Sequence, residues 1–351
     1  MAHEENAPLN ITPGAIRFNT DSMKLEYFRI GMEGGATSSY AGIGTLAAGE
    51  WVQITTDTPD VQTGGTRGVR GGGQSPSSTE INNIDYFNID TTGNAIDFGN
   101  LTAARGSVGQ GFASRTRGFI AGGYNSGYQD DIQFITISST GNATFFGNML
   151  AGKQNIGALS NETRGIINSG SDAGSAINVI QYITMTSAGN AINFGDLSVT
   201  RTGAKGVASS TRGVNIGGYD PSSNTTIDFV TISTLGNAAD FGDHSGGGGN
   251  STPGSNSIRG VIASGGSTSN VISYITIATQ GDSQDFGDLT RSMIDGAGAA
   301  SATRFCVAGG SDSNVIEYVQ IMSLGNAVNF GDLTQSVSET AGFSNGHGGL
   351  G

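Results

Sequence analysis

Along most of this chain apolar and polar residues alternate in short runs punctuated by glycine, and a period of two marks β-strands rather than helices. In "NVIQYITMT", Ile180, Tyr182 and Thr184 fall on one face and Val179, Gln181, Ile183 and Met185 on the other. Such runs come in sets of four. "GSVGQGFAS" and its counterparts read as a glycine-rich first strand, "TRGIINSG" as a second that stops at small residues, "NVIQYITMT" as a third and "NAINFGDL" as a fourth. Helices are expected to be almost absent.

The sets repeat. The Gly-Asn-Ala turn and its variants place glycine at Gly93, Gly141, Gly189, Gly236, Gly281 and Gly325, with successive spacings of 48, 48, 47, 45 and 44 residues. Each glycine is followed by an aromatic (Phe98, Phe146, Phe194, Phe241, Phe286, Phe330), then by Gly and Asp or Asn. The third strand carries its own aromatic at Tyr86, Phe134, Tyr182, Phe229, Tyr274 and Tyr318. A four-stranded unit this small cannot bury both faces alone and must stack on copies of itself. A period of about 45 to 50 residues with four strands matches propeller blades. No first strand precedes Arg67, whereas "SVSETAGFSNG", after the last "NFGDL", has that strand's character. Residues near 336 to 346 are therefore predicted to pair beside "GTRGVRGGG" and close the ring. The expected fold is all-β: a six-bladed β-propeller over residues 61–351 closed by a C-terminal strand, with a small N-terminal β-hairpin segment over residues 1–60.

In that N-terminal segment, "PGAIRFNTDSMKLEYF" gives two alternating runs around the turn "NTDS", with Ile16 and Phe18 facing Leu25 and Tyr27. "GEWVQI", carrying Trp51 and Ile54, reads as a third strand covering the hairpin's apolar face. So small a sheet is marginal alone, and two readings stay open: a β-appendage packed on the propeller, or an oligomerising and attachment element.

Composition narrows the function classes. Glycine is abundant (59) and charged residues are few (13%), which suits short strands and tight turns. A net charge of -13 with no basic run argues against a nucleic-acid partner, because phosphate-binding surfaces need clustered cations. No apolar run reaches the length of a membrane span, and the start "MAHEENAPLN" lacks the basic n-region of a secretory signal. No membrane insertion is expected, and synthesis in the cytoplasm is. Cys306, the single cysteine, excludes an internal disulfide and reads as a small core residue.

Candidate chemistry is thin. His3, His244 and His347 lie in the tail, in a glycine-rich loop and near a C-terminus expected to fray, and they share no metal-pair or triad spacing. Asp196, Asp243, Asp288 and Asp332, with Asn100 and Asn148 at equivalent places, form a ring expected to cap turns rather than bind calcium. Arg67, Arg117, Arg164, Arg212, Arg259 and Arg304 form a second ring, expected to bridge blades. "DHSGGGGNSTPGSNSIRG" breaks the pattern and reads as a mobile surface loop at the exit of blade four, without the lysine of a phosphate cradle. Neither catalytic residues, nor a cofactor, nor a metal site is predicted. What varies is the loop between the second and third strands, from "YNSGYQDD" to "SDS", and variable loops on a rigid scaffold are where specificity resides. Tyr124, Tyr128, Tyr219 and Asp220 suit stacking and hydrogen bonding to a host-surface sugar or other receptor, and the plain solvated loop remains the alternative.

The tandem "TRG…GG…I-x-Y-I-T-I…G-N-A-x-D-F-G-D-L", over roughly residues 64 to 345, resembles kelch-like repeats in structural proteins of marine tailed bacteriophages, especially those of cyanobacteria; the tryptophan that often ends a kelch unit is missing. "GAIRFNTDSMKLEYF…GEWVQI" resembles short hairpin modules of phage tail-fibre and other virion proteins. The resemblance implies a non-enzymatic virion protein in tail, fibre or surface display. It would be attached to other virion proteins through residues 1–60, self-associating or not, and would contribute to host adsorption. The alternatives it leaves are a capsid decoration protein or a tail-associated polysaccharide depolymerase. A cytoplasmic interaction module is a third class.

Overall fold

In the computed structural model the chain forms two compact units, Met1–Pro59 and Asp60–Gly351. The structure describes residues 15–19, 24–30, 49–53, 66–265 and 267–351.

The smaller unit is a three-stranded antiparallel sheet of Ile16–Asn19, Lys24–Ile30 and Gly49–Gln53, in that order. Its hairpin has the register expected, Ile16 opposite Tyr27 and Phe18 opposite Leu25. The third strand differs from expectation: Trp51 sits in register beside Phe28, so this strand widens the sheet instead of covering it. Ile16 and Phe18 consequently stay 65% and 54% exposed. Arg17 pairs with the buried Glu26 at 2.8 Å. Ile54 lies outside the described residues.

The larger unit is a six-bladed β-propeller of antiparallel sheets. Blade two shows the plan, running outward through Phe112–Ala113, Arg117–Ala121, Asp131–Thr136 and Thr144–Asn148. Blade one is completed by the other end of the chain: Ala341–Ser344 pairs antiparallel with Arg67–Gly71. Arg67 N–H also donates to Asn345 Oδ1 at 2.8 Å. In blade three the third strand lengthens to Ser175–Thr184 and folds against Ser171–Asp172 as a hairpin.

Six apolar clusters hold the ring, each shared by two consecutive blades; Val69, Ile84 and Phe98 of blade one, for instance, pack with Ile120, Ile135 and Ile137 of blade two. Stability is thus a sum of nearest-neighbour interfaces, which is why the sequence must repeat. In every blade the outermost strand bulges at the Phe of Phe-Gly-Asp/Asn, as the skipped residue Phe194 between Asn193 and Gly195 shows. The bulge turns that ring inward, where Phe194 is 3% exposed.

The glycine run after blade four is not a protruding mobile loop. Gly247, Gly248 and Gly249 are buried, and Gly248 accepts from Gly218 N and donates to Asn224 O, both at 3.1 Å. Gly247 and Gly248 take φ of +62° and +81°, which favour glycine, and the run packs so closely that a Cβ on Gly217 would stand 2.3 Å from Gly248 O. His244, 2% exposed, fills the position that Leu197 and Leu289 hold in other blades and meets Ser273 Oγ at 2.9 Å. Burial pushes its pKa down to about 4.

Candidate functional site

Antiparallel blades place the first–second and third–fourth turns at one end of the ring, and the second–third loops and blade connectors at the other. The turn-bearing end is spent on closure. Each Gly-Asn-Ala turn docks on the outermost strand of the blade before it; Gly236 N donates to Phe194 O at 2.9 Å and Ala238 N to Asp196 O at 2.8 Å. Across the same junction Asp196 N–H donates to Asn237 Oδ1 at 3.0 Å, and Asn94, Asn142, Asn190, Asp282 and Asn326 repeat that bond. The Asp/Asn ring therefore offers its backbone N–H groups to the turn of the next blade. The capping side chain is that turn's Asn, not the ring's own carboxylate as expected.

The arginine ring bridges blades as predicted. Arg67, Arg117, Arg164, Arg212, Arg259 and Arg304 each donate to a carbonyl at the end of the next blade's third strand, and Arg304 closes the circle on Ile89 O at 3.0 Å. Each guanidinium also lies over its own blade's third-strand aromatic, 4.2 to 5.1 Å from the centroid. That ring meets the bulge Phe edge-on, Tyr182 and Phe194 at 6.1 Å and 79° for example. The repeated aromatics are thus parts of one Arg–aromatic–Phe stack made six times.

Along the axis the six innermost strands touch in a closed circle. Lined by small residues such as Gly206, Ala208, Gly298 and Ala300, with Phe112, Leu159 and Phe343, they leave a cavity of about 40 Å³. That is room for a few waters and not for a sugar ring. The C-terminus is ordered, not frayed, and crosses the turn-side mouth. His347 Nε2 donates to Ala113 O at 2.8 Å and its Nδ1 accepts from Gly349 N at 3.2 Å, while Arg115 donates to Leu350 O. Burial lowers the His347 pKa to about 4, so the ring is held neutral. At the opposite mouth a small recess is lined by Asn155, Lys205, Asp295, Glu339 and neighbours. Burial lowers Lys205 to about 8 against the opposing charges of Asp295 and Glu339, and raises Asp295 to about 6, with Lys205 opposing that shift and Glu339 adding to it. Glu339 Oε2 is already taken by Ser107 N and Oγ.

The remaining end is where the blades differ. Tyr124 and Tyr128 meet edge-to-face at 5.7 Å and 86°, and Tyr124 pairs with the connector residue Gly106, which fixes the loop against the ring. Tyr219, 54% exposed, pairs likewise with Thr202, and Asp220 accepts from Thr200 Oγ1 at 2.8 Å. The structure thus brings Tyr124 and Tyr128 together on blade two and leaves Tyr219 with Asp220 on blade four, with blade three between them.

Beneath these loops the connectors bury cations that sequence reasoning did not single out. Arg105, 2% exposed, donates to both carboxylate oxygens of Asp131 at 3.0 Å, and Arg201, fully buried, pairs with Asp228 at 2.8 Å. Lys153 holds the equivalent place between blades two and three. The signal available was a basic residue repeated at one distance after Phe-Gly-Asp/Asn. Cys306 is fully buried and its thiol is pushed far above the ordinary range by burial. Among the described residues no three His, Cys, Asp or Glu side chains gather to hold a metal ion, and no helix is long and apolar enough to cross a membrane. No protein-family model matches the chain, and comparison with curated proteins finds no match.

Proposed function

We propose that the chain is a non-enzymatic surface protein of a tailed-phage virion, held in the particle through its N-terminal sheet and using the loop-bearing end of the propeller to contact the host. The observation that carries this reading is the division of labour within the ring. The turn-bearing end carries the repeated interblade contacts and the axis is closely packed, whereas sequence variation is concentrated in the second–third loops of the other end. A cavity of about 40 Å³ on the axis supports a role other than catalysis, since no substrate larger than a few waters fits there. The repeat and hairpin resemblances supply the virion context, and the exposed Ile16 and Phe18 suit burial against another virion subunit or a second copy. Electron cryo-microscopy of the assembled particle tests it. A propeller projecting from tail or fibre with the Tyr124 loop outward is the expected result; a ring lying flat on the capsid lattice favours decoration, and its absence from the particle sinks the reading.

A further inference from the structure

Internal repetition makes one blade a reference for the next, and blades two and three differ in a way that points to a ligand. In blade two, Asp131 serves two donors: the guanidinium of Arg105, entering on the connector, and Gln133 Nε2 at 2.7 Å. Gln133 Oε1 meanwhile accepts from Thr102 N at 2.9 Å. Blade three keeps this frame. Gln181 Oε1 accepts from Leu150 N at 2.8 Å, and Gly123 N donates to Lys153 O as Gly73 N does to Arg105 O, both at 2.8 Å. The acceptor is changed: Val179 stands opposite Asp196 where Asp131 stands opposite Asn148. In blade four the carboxylate moves to the Gln181 position, as Asp228, and still reaches Arg201. Blade three has neither.

Two donors are left without the acceptor that their counterparts in blade two share. Lys153 is 2% exposed, yet its ammonium makes no hydrogen bond or ion pair with any described residue, and Asp172 acts on it only from a distance. Gln181 is fully buried and its Nε2 has no partner. A buried donor left unpaired is destabilising, more so when charged. The place borders solvent, for Val179, which stands at the Asp131 position, is half-buried.

The Tyr124–Tyr128 pair stands over this spot. Lys153 N donates to Gln129 O at 2.9 Å, so the tyrosine loop sits directly on the Lys153 connector. Across the groove is the Ser171–Asp172 hairpin, where a Cβ on Gly174 would lie 3.8 Å from the Tyr128 hydroxyl. Neither tyrosine hydroxyl hydrogen-bonds to a described residue. Aromatic faces with free hydroxyls suit the C–H face and hydroxyls of a pyranose, and the ammonium beside them suits an acidic substituent.

We infer that the groove between blades two and three binds an acidic sugar residue, with its carboxylate or sulfate on Lys153 and Gln181 in the role Asp131 plays in blade two and its ring against Tyr124 and Tyr128. This rests on the reading of the loop-bearing end as the host-contacting surface and names the glycan class it takes.

The test uses the full chain and oligosaccharides bearing uronate, sialate or sulfate groups, each paired with its neutral counterpart (the methyl ester for the uronates), titrated by calorimetry. At least one acidic member binds and its neutral counterpart does not. Lys153→Met weakens binding about ten- to hundredfold, the worth of a hydrogen-bonded charge. Tyr124→Ala weakens it less. Val179→Asp supplies the missing carboxylate from within, so it abolishes binding while melting at or above the wild-type temperature, which separates ligand competition from misfolding. Equal affinity for acidic and neutral members, failure of every acidic member to bind, or unchanged binding in Val179→Asp overturns the inference. Adsorption of labelled protein to intact host cells keeps the two readings apart. Adsorption that persists in a folded Val179→Asp overturns the glycan assignment and leaves the adsorption reading standing; acidic-glycan binding without adsorption does the reverse.

Discussion

At the turn-bearing end, Asn94, Asn142, Asn190, Asn237, Asp282 and Asn326 make the same bond six times over. At the connector end the position of Arg105, Lys153 and Arg201 is occupied three different ways, and in the other blades by Gly248, Met293 and Val337. The first end is a self-complementary joint, where one blade's change must be matched by its neighbour. The second carries connector residues whose partners differ from junction to junction and so are free to diverge. Closure and blade-to-blade variation are separated by the up-and-down course of the strands.

Experiments that break this contrast range widely in size. Ending the chain after Thr340 removes the strand that pairs with Arg67–Gly71 and the buried Phe343. The expected outcome is no cooperative melting transition by calorimetry, since one open interface exposes two apolar blade faces at once. Next in size is an acid dependence at the connector end. His244 is neutral in the fold, its pKa lowered by burial to about 4 from the ordinary 6.5. The unfolded chain takes up a proton below 6.5, so the stability His244 contributes is complete above that pH and is lost as pH falls toward 4, amounting to at most about 3 kcal/mol. His244→Leu, which restores the residue of the sister blades, flattens that acid limb in denaturant titrations between pH 4 and 7.

Smaller effects test the joint itself. A Cβ on Gly195 would stand 2.3 Å from Gly236 O, at a φ of +153°, whereas one on Gly189 meets nothing within 4 Å. Gly195→Ala should cost about 1–3 kcal/mol and Gly189→Ala less than about 0.5 kcal/mol, read from urea midpoints. Between these two falls the loss from Arg164→Met, which removes a bond to Ile232 O at 2.6 Å and the contact with Tyr182. About 1–2 kcal/mol is expected, and the same loss for Arg304→Met. Unequal losses would show that the joint is not uniform around the ring.

Much of this was legible in the chain because it is written in local spacing. The distance from Gly189 to Phe194 gives strand and blade together, and the orphan second strand at Arg67 points to its partner near Phe343. What escaped depends on pairs of residues in different blades. Asn237 caps Asp196 from the next unit, so a reading within one unit assigns the capping to the wrong partner. The glycines after His244 look mobile by composition, yet they lie against Gly217 and Gly218, a contact with no trace in either segment alone. Lys153 repeats the spacing of Arg105 and Arg201 after the bulge Phe, but its missing acceptor becomes noticeable only when Val179 is set in register with Asp131, and loops of unequal length hide that register. Tyr219 resembled Tyr124 in kind; only the ring geometry shows a whole blade between them.

Ring closure by Ala341–Ser344 also bears on how the protein is made. The bond between Arg67 and Asn345 joins residues 278 positions apart. A ribosome needs roughly tens of seconds to cover that distance, and throughout that time Val69 and its neighbours emerge with one edge unpaired. Blades two to six can assemble in order during synthesis, but blade one must wait for its last strand. Until then the nascent chain offers a free strand edge to any other nascent copy. Yield in the cell therefore depends on how quickly the closing strand is delivered and on what shields Arg67–Gly71 meanwhile, a kinetic demand that the finished ring does not reveal.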